Sequence, residues 1–132
     1  MCTAGRIAVF LASAGWCLSA DPIAFEDIAP GAGIDFVLRN GATGNHYQIE
    51  TMVSGVVAFD YDSDGRVDLF FVNGAAPASL TKKHPGDSNR LYRNLGGGKF
   101  EDTTARAGLA GEGFGMGGAA ADFDNDGHPI YP

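Results

Sequence analysis

Cysteine is scarce in this 132-residue chain, and its two copies, Cys2 and Cys17, both lie near the N-terminus. The rest of the chain therefore has no disulfide and no thiolate metal site. Positive charge is scarce as well, because nine Lys and Arg face sixteen Asp and Glu, for a net charge of −7. That balance argues against nucleic acid or an anionic membrane surface as a partner.

No apolar run is long enough to cross a membrane. The longest, residues 7–18, has about a dozen residues, whereas a bilayer needs about 20. Arg6 precedes this run and the small pair Ser19-Ala20 follows it, which predicts an export signal over residues 1–20. A buried helix or strand of the domain is the alternative. With the signal removed, residues 21–132 would form a secreted, periplasmic or cell-surface domain without cysteine or membrane insertion, for which a bound metal is a candidate stabiliser.

Long amphipathic helical patterns are also missing, whereas short β-branched and aromatic runs recur between Gly, Asn and Asp residues. Strands are predicted at residues 34–38, 55–59, 68–72, 90–94 and 99–101. The L-G-G-G-K stretch at residues 95–99 predicts a hairpin turn, and residues 77–87 an exposed loop. The sequence therefore predicts an all-β fold built from small antiparallel sheets.

The chain repeats itself. Residues 25–34 and 100–109 both read F-E-D-x-x-x-x-A-G-[IL], and each copy precedes a Gly-rich apolar segment that ends in an acidic cluster. The clusters are DYDSDGRVD at residues 60–68 and DFDNDGH at residues 122–128. A repeat of this length indicates an architecture of stacked, similar units.

The acidic clusters need an explanation, because two carboxylates about 4 Å apart repel by about 4 kcal/mol at an effective dielectric near 20. Either the acids splay into water or a hard cation lies between them. Acids at positions 1, 3 and 5 with Gly65 and Gly127 at position 6 favour the cation. In the first cluster Asp68 at position 9 can complete the ligand shell, and the carbonyl of Arg66 at position 7 can add a backbone ligand.

Oxygen ligands without Cys or His favour Ca²⁺ over Zn²⁺ or copper, and Mg²⁺ stays open. Position 12 of the first cluster is Phe71, in a strand-like run, so the EF-hand, which needs an acid there and flanking helices, is excluded. A calcium loop joining two strands remains.

The stretches G-V-V-A-F-D-Y-D-S-D-G-R-V-D-L and F-G-M-G-G-A-A-A-D-F-D-N-D-G resemble FG-GAP (VCBS-type) repeats, the calcium-loop blades of integrin-alpha-like β-propellers. Together with L-Y-R-N-L-G-G-G-K-F-E-D-T-T-A-R-A-G-L, they resemble bacterial secreted proteins similar to cartilage acidic protein, which typically carry an ASPIC/UnbV domain. The resemblance covers residues 24–127. It implies four-stranded blades with a calcium loop between the first two strands of each. The two repeat copies of this chain correspond to about one and a half to two blades, whereas a closed propeller needs about 4 to 8. We therefore expect a partial propeller, from the N-terminal part of a longer protein or from a truncated reading frame.

The resemblance also implies a ligand set. The matching positions are Asp60, Asp62, Asp64, Arg66 (through its carbonyl) and Asp68 in the first loop, and Asp122, Asp124, Asp126 and His128 (through its carbonyl) in the second. Position 9 of the second loop is Ile130 instead of Asp, so we expect that site to be incomplete and weak.

The predicted function is a non-catalytic, calcium-binding scaffold that contacts an unknown protein or glycan. His46, His84 and His128 share no ligand spacing, and no serine lies in a G-x-S-x-G context, so no catalytic residue is predicted. One alternative is the N-terminal part of a secreted propeller enzyme, a hydrolase or lyase whose active site lies outside this chain. Another is a calcium-buffering peptide, which the apolar strands disfavour.

Overall fold

The structure, a computed structural model, describes residues 23–124 and 126. The predicted export signal, both cysteines and His128 lie outside these residues. The strands are β1 Gly55–Phe59, β2 Asp68–Val72, β3 Arg90–Gly96 and β4 Lys99–Asp102. The helices are α1 Ala29–Ala32 and α2 Thr104–Ala107, with 3-10 turns at Gln48–Thr51 and Pro85–Asp87. None of the helices described is long and apolar enough to cross a bilayer.

The four strands form one antiparallel sheet in the order β1-β2-β3-β4, each strand pairing with the next along the chain. Gly97 and Gly98, both with left-handed φ (60° and 72°), form the turn between β3 and β4, as the favoured two-residue hairpin turn requires. The all-β prediction is confirmed, and one four-stranded sheet is consistent with a partial propeller. Of the residues that the structure describes after β4, none adds a strand to this sheet.

The core lies on one face of the sheet, around Phe70, Val72 and Leu91. The glycine-rich segment before the second acidic cluster, F-G-M-G-G at residues 114–118, crosses this face. A Cβ on Gly115 would lie 2.2 Å from a methyl of Val72, and one on Gly118 would lie 3.0 Å from a methyl of Val57. Gly115 and Gly118 therefore allow the chain to pass directly over the sheet.

The segment at residues 34–38 covers the other face, but it is not a strand, and that prediction was wrong. Its Phe36 ring stacks on Phe71, with centroids 4.8 Å apart. The side chain of Asn73 takes the place of a neighbouring strand. Its Nδ2 donates to the carbonyl of Val37 (3.2 Å), and its Oδ1 accepts from the backbone N–H of Arg39 (2.8 Å).

The predicted loop at residues 77–87 is exposed at residues 78–81 and 83–85, as expected. It is anchored near its C-terminal end, where Asp87 is only 8% exposed. The ammonium of Lys82 lies among four oxygens. Its acceptors are the carbonyls of Asn73 (2.8 Å), Gly74 (3.1 Å) and Asp87 (2.7 Å) and the Oδ1 of Asn89 (3.0 Å). Burial lowers the pKa of Lys82, and the charge of Asp87 opposes that shift. The polar side chain of Lys82 therefore bonds to the body of the chain and is not simply solvated.

Candidate metal centre

The first acidic cluster forms the connection between β1 and β2. Phe59 at the end of β1 lies opposite Asp68 at the start of β2, so the sheet holds the two ends of the loop together. Ser63 and Gly65 have left-handed φ, 58° and 82°, which lets the backbone curl tightly between them.

Asp60 fixes that curl. Its two carboxylate oxygens accept the backbone N–H of Asp64 (3.1 Å) and of Gly65 (2.8 Å). The acid at position 1 thus satisfies donors at positions 5 and 6, while its remaining lone pairs can accept further partners.

Asp68 ties the loop to the sheet. It is fully buried, and its oxygens accept the backbone N–H of Tyr61 (2.7 Å) and of Asn94 in β3 (2.6 Å). The Nδ2 of Asn94 in turn donates to the carbonyl of Val67 (2.9 Å). A buried carboxylate is stable only when it is hydrogen-bonded or paired, and here two backbone donors hold it.

Two arginines partly neutralise the loop. Arg93 of β3 pairs through Nε with Asp62 and through Nη2 with Asp64, the latter at 2.9 Å. Arg66 pairs with Asp64 and donates through Nε to the carbonyl of Asn94 (2.8 Å). Burial alone would raise the pKa of Asp64, but the Arg66 backbone N–H and the charges of Arg66 and Arg93 lower it below its usual value. The hydrogen bond to Asp62 raises the pKa of Arg93, against a smaller opposing effect of burial.

The sequence prediction named neither Arg93 nor Asn94 as part of this site. Both belong to the L-Y-R-N run of β3, which the sequence marked as a strand and as part of the family resemblance. Their place at the loop follows from the pairing of β2 with β3. The only signal in the sequence that could have indicated this role is the pair Arg93-Asn94, a basic and an amide residue just before the predicted hairpin turn.

Three of the four predicted aspartates of the first loop come together. One carboxylate oxygen from each of Asp60, Asp62 and Asp68 lies within 4.8 Å of the others, so the group could hold a metal ion. Oxygens at about 2.3–2.6 Å from a shared Ca²⁺ lie at most about 5 Å apart, so the donor set fits such an ion. Asp64 is not among the three, and its carboxylate is paired with Arg66 and Arg93.

The second acidic cluster curls in the same way. One oxygen from each of Asp122, Asp124 and Asp126 lies within 4.8 Å of the others, and all three residues are exposed. The Asp126 N–H donates to Asp122 Oδ1 at 3.1 Å, as Asp64 donates to Asp60 at 3.1 Å in the first loop. The predicted carbonyl ligand of His128 lies outside the described residues.

A four-stranded antiparallel sheet with an acidic loop between its first two strands, followed by a second loop of the same kind, defines a propeller-type β-repeat protein. The family model of the FG-GAP-like repeat matches residues 60–129, which is just over half of the chain. The chain belongs to the FG-GAP-like repeat family, a structural repeat that is typically non-catalytic, and the predicted resemblance to FG-GAP repeats is confirmed. No curated protein and no solved structure gives a significant match.

Proposed function

We propose that this chain is an exported, calcium-binding segment of a β-propeller that acts as a non-catalytic scaffold for protein or glycan contacts. The observation that carries the proposal is the grouping of Asp60, Asp62 and the buried Asp68 between β1 and β2. The finer resemblance, to secreted bacterial proteins similar to cartilage acidic protein with an ASPIC/UnbV domain, is part of the same proposal.

Calcium suits this loop better than other common ions. Its donors are carboxylate oxygens, whereas Zn²⁺ prefers Cys and His, and Mg²⁺ demands a smaller octahedral shell with several waters. The carbonyl of Arg66 is the expected backbone ligand. A bound divalent ion would neutralise the aspartates and fasten the start of the loop to Asp68, which is already bonded to β3.

The arginines set the expected strength of the site. Arg93 already pairs with Asp62, so a cation has to compete with its guanidinium for that carboxylate. We therefore expect a modest affinity, with a Kd of about 10⁻⁴–10⁻³ M, as in extracellular calcium modules. That range suits an exported protein.

Calorimetric titration of the full chain with CaCl₂ tests the proposal. We expect Asp62→Asn to weaken the main binding phase at least about tenfold, because it removes a carboxylate ligand. Asp124→Asn removes the same charge from the second loop and is the matched control, which should leave the main phase unchanged. A parallel titration with MgCl₂ should give weaker binding.

Three results would contradict the proposal. Wild-type protein could take up no calcium at about 10 mM, well above the weakest affinity of extracellular modules. Mg²⁺ could bind as tightly as Ca²⁺, or Asp124→Asn could abolish the main phase while Asp62→Asn preserves it.

A further inference from the structure

A cavity of about 460 Å³ opens where the segment at residues 39–42 faces the turn at residues 84–87. Ala76, which also lines it, follows the C-terminal end of β2, whereas the acidic loop precedes Asp68 at the other end of that strand. The volume is within the range of about 300–1,000 Å³ that is usual for small-molecule sites. The cavity is therefore a separate place on the molecule, outside the candidate metal centre.

Arg39 is held in the wall of this cavity. Its backbone N–H donates to Asn73 Oδ1 (2.8 Å), and its Nε donates to Asp87 Oδ1 (3.0 Å). Its side chain stays 46% exposed, and within the described part of the chain neither Nη1 nor Nη2 has a hydrogen-bond partner. These two groups form the fork with which a guanidinium binds a carboxylate through two parallel bonds.

His84 adds a second donor beside Arg39. Its Nδ1 accepts the backbone N–H of Gly86 (2.9 Å), and its own backbone N–H donates to Asp87 Oδ2 (3.1 Å). Because Nδ1 accepts a bond, the neutral ring carries its proton on Nε2, which is then a donor. A Cβ built on Gly86 would lie 3.2 Å from Cδ of Arg39 and 3.3 Å from Cε1 of His84, so the two side chains are neighbours.

The acceptors around the cavity already have partners. Both carboxylate oxygens of Asp87 accept bonds, one from Arg39 and one from His84, and Oδ1 of Asn40 accepts the backbone N–H of Ala42 (3.1 Å). None of the described residues that line the cavity has a large apolar side chain. Donors that remain available favour an anionic ligand, and a small, polar lining favours one that is rich in hydroxyl groups.

The local charge also favours an anion, although the net charge of the chain is −7. Lys82 lies next to the turn, with its ammonium on the carbonyl of Asp87 (2.7 Å), and Lys83 precedes His84. The acid Glu50, whose Oε1 accepts from Thr43, is not among the residues that line the cavity. A cluster of cations of this kind attracts an anion locally.

We propose that this cavity binds a uronic acid residue of an acidic glycan, with the sugar carboxylate on Nη1 and Nη2 of Arg39 and a further bond from Nε2 of His84. The proposal rests on the proposed scaffold function and names the glycan that the scaffold contacts.

A neighbouring cavity supports a chain of sugars over a single small acid. It has about 240 Å³, shares Arg39 with the first cavity, and is lined by Asp35 and Ser88, which supply acceptors for hydroxyl groups. Two adjoining cavities suit two consecutive sugar residues. An extended acidic peptide, by contrast, binds along a strand edge or in a groove with apolar pockets.

Titration of the ¹⁵N-labelled full chain with galacturonate, followed by amide chemical shifts, tests the proposal. We expect saturable shifts at the amides of residues 41, 42 and 86, with a Kd of about 1 mM from the efficiency of drug-sized ligands. Galactose, which has a hydroxymethyl group in place of the carboxylate, should bind at least about tenfold more weakly. Digalacturonate should bind at least about threefold more tightly, because it reaches the second cavity.

Two variants locate the site. Arg39→Gln removes the guanidinium and should weaken galacturonate binding at least about tenfold. Lys83→Gln removes the same charge from an exposed side chain that does not line the cavity, and should leave the Kd nearly unchanged. If Arg39→Gln does not fold, the comparison of galacturonate with galactose on the wild-type chain still decides the proposal.

The proposal is overturned if galacturonate gives no saturable shifts, if galactose binds as tightly, if digalacturonate gains nothing, or if Lys83→Gln weakens binding as much as Arg39→Gln. An acetylated triglutamate peptide that binds as tightly as digalacturonate also overturns it, and indicates an acidic protein segment instead.

Titrations in EDTA and in CaCl₂ separate this proposal from the calcium site. Galacturonate should bind alike in both, because the cavity and the acidic loop lie at opposite ends of β2. Binding to the folded chain that needs CaCl₂ overturns the Arg39 site, since the metal ion would then hold the carboxylate. A chain that takes up calcium but no galacturonate refutes this site and leaves the calcium proposal standing.

Discussion

Replacing Asp68 by Asn tests whether this carboxylate organises the acidic loop even without a metal ion. Asp68 is fully buried, and its two oxygens accept the backbone N–H groups of Tyr61 and Asn94 at 2.7 and 2.6 Å. An asparagine has one acceptor oxygen and one NH₂ group. One of the two backbone N–H groups would therefore face another donor.

The expected cost follows from these two bonds. A hydrogen bond to a charged group contributes about 1.5–3 kcal/mol, and a buried donor left without an acceptor costs about 1–3 kcal/mol. These contributions overlap, so we expect Asp68→Asn to lower the free energy of unfolding by about 2–4 kcal/mol. That is a large share of the about 5–15 kcal/mol typical of a folded domain. Urea denaturation in the presence of EDTA measures it without any contribution from calcium.

Asp62→Asn is the matched control, since it makes the same charge change in the same loop. Its carboxylate pairs with Arg93 near the surface, where ion pairs contribute little, so in EDTA its effect should be much the smaller of the two. With calcium added, both variants should lose the calcium-dependent gain in stability. The reasoning is refuted if Asp68→Asn costs less than about 1 kcal/mol in EDTA, the size of an ordinary point substitution, or if the two variants are equally destabilised.

Three further predictions concern residues outside the acidic loop. Asn73→Ala removes a buried amide with five backbone hydrogen-bond partners, and should lower the free energy of unfolding by about 2–4 kcal/mol in urea denaturation. A loss below about 1 kcal/mol would contradict that role. Gly115→Ala puts a methyl group 2.2 Å from a valine methyl and should lower the free energy of unfolding by about 1–3 kcal/mol. Gly117→Ala meets nothing within 4 Å and should leave that free energy nearly unchanged, so equal effects of the two substitutions would refute the close approach. Burial would raise the pKa of Asp87, but backbone N–H groups and the Arg39 side chain lower it below its usual value. Its stabilisation is therefore present above the unfolded pKa of about 3.9 and is lost as the pH falls through the lower folded value, so thermal midpoints of Asp87→Asn should fall less steeply with acid than those of wild type. Identical slopes would contradict this assignment.

Much of the sheet could be predicted because its strands are marked locally. The residue runs at β1 and β2 match the structure in their bounds, and β3 and β4 differ only at their C-terminal ends. Alternation and turn chemistry are short-range signals, and they are sufficient where a strand pairs with its neighbour in the chain. Residues 34–38 carry the same signal, but the group that bonds their backbone is the side chain of Asn73. No local pattern reveals that a distant amide will replace a strand.

The sequence by itself determined the curl of the acidic loop, because the bonds from Asp60 to the backbone N–H groups of Asp64 and Gly65 span only a few residues. The same local spacing produced the matching curl in the second cluster. Tertiary structure decided which acids face a common point and which are neutralised. Arg93 and Asn94 reach the loop only because β3 pairs with β2. Arg93 pairs with both Asp62 and Asp64, Asn94 holds Asp68, and Asp64 lies outside the group that could hold a metal ion. Those contacts join residues about 30 positions apart, and such distant partners are set by sheet pairing rather than by spacing along the chain.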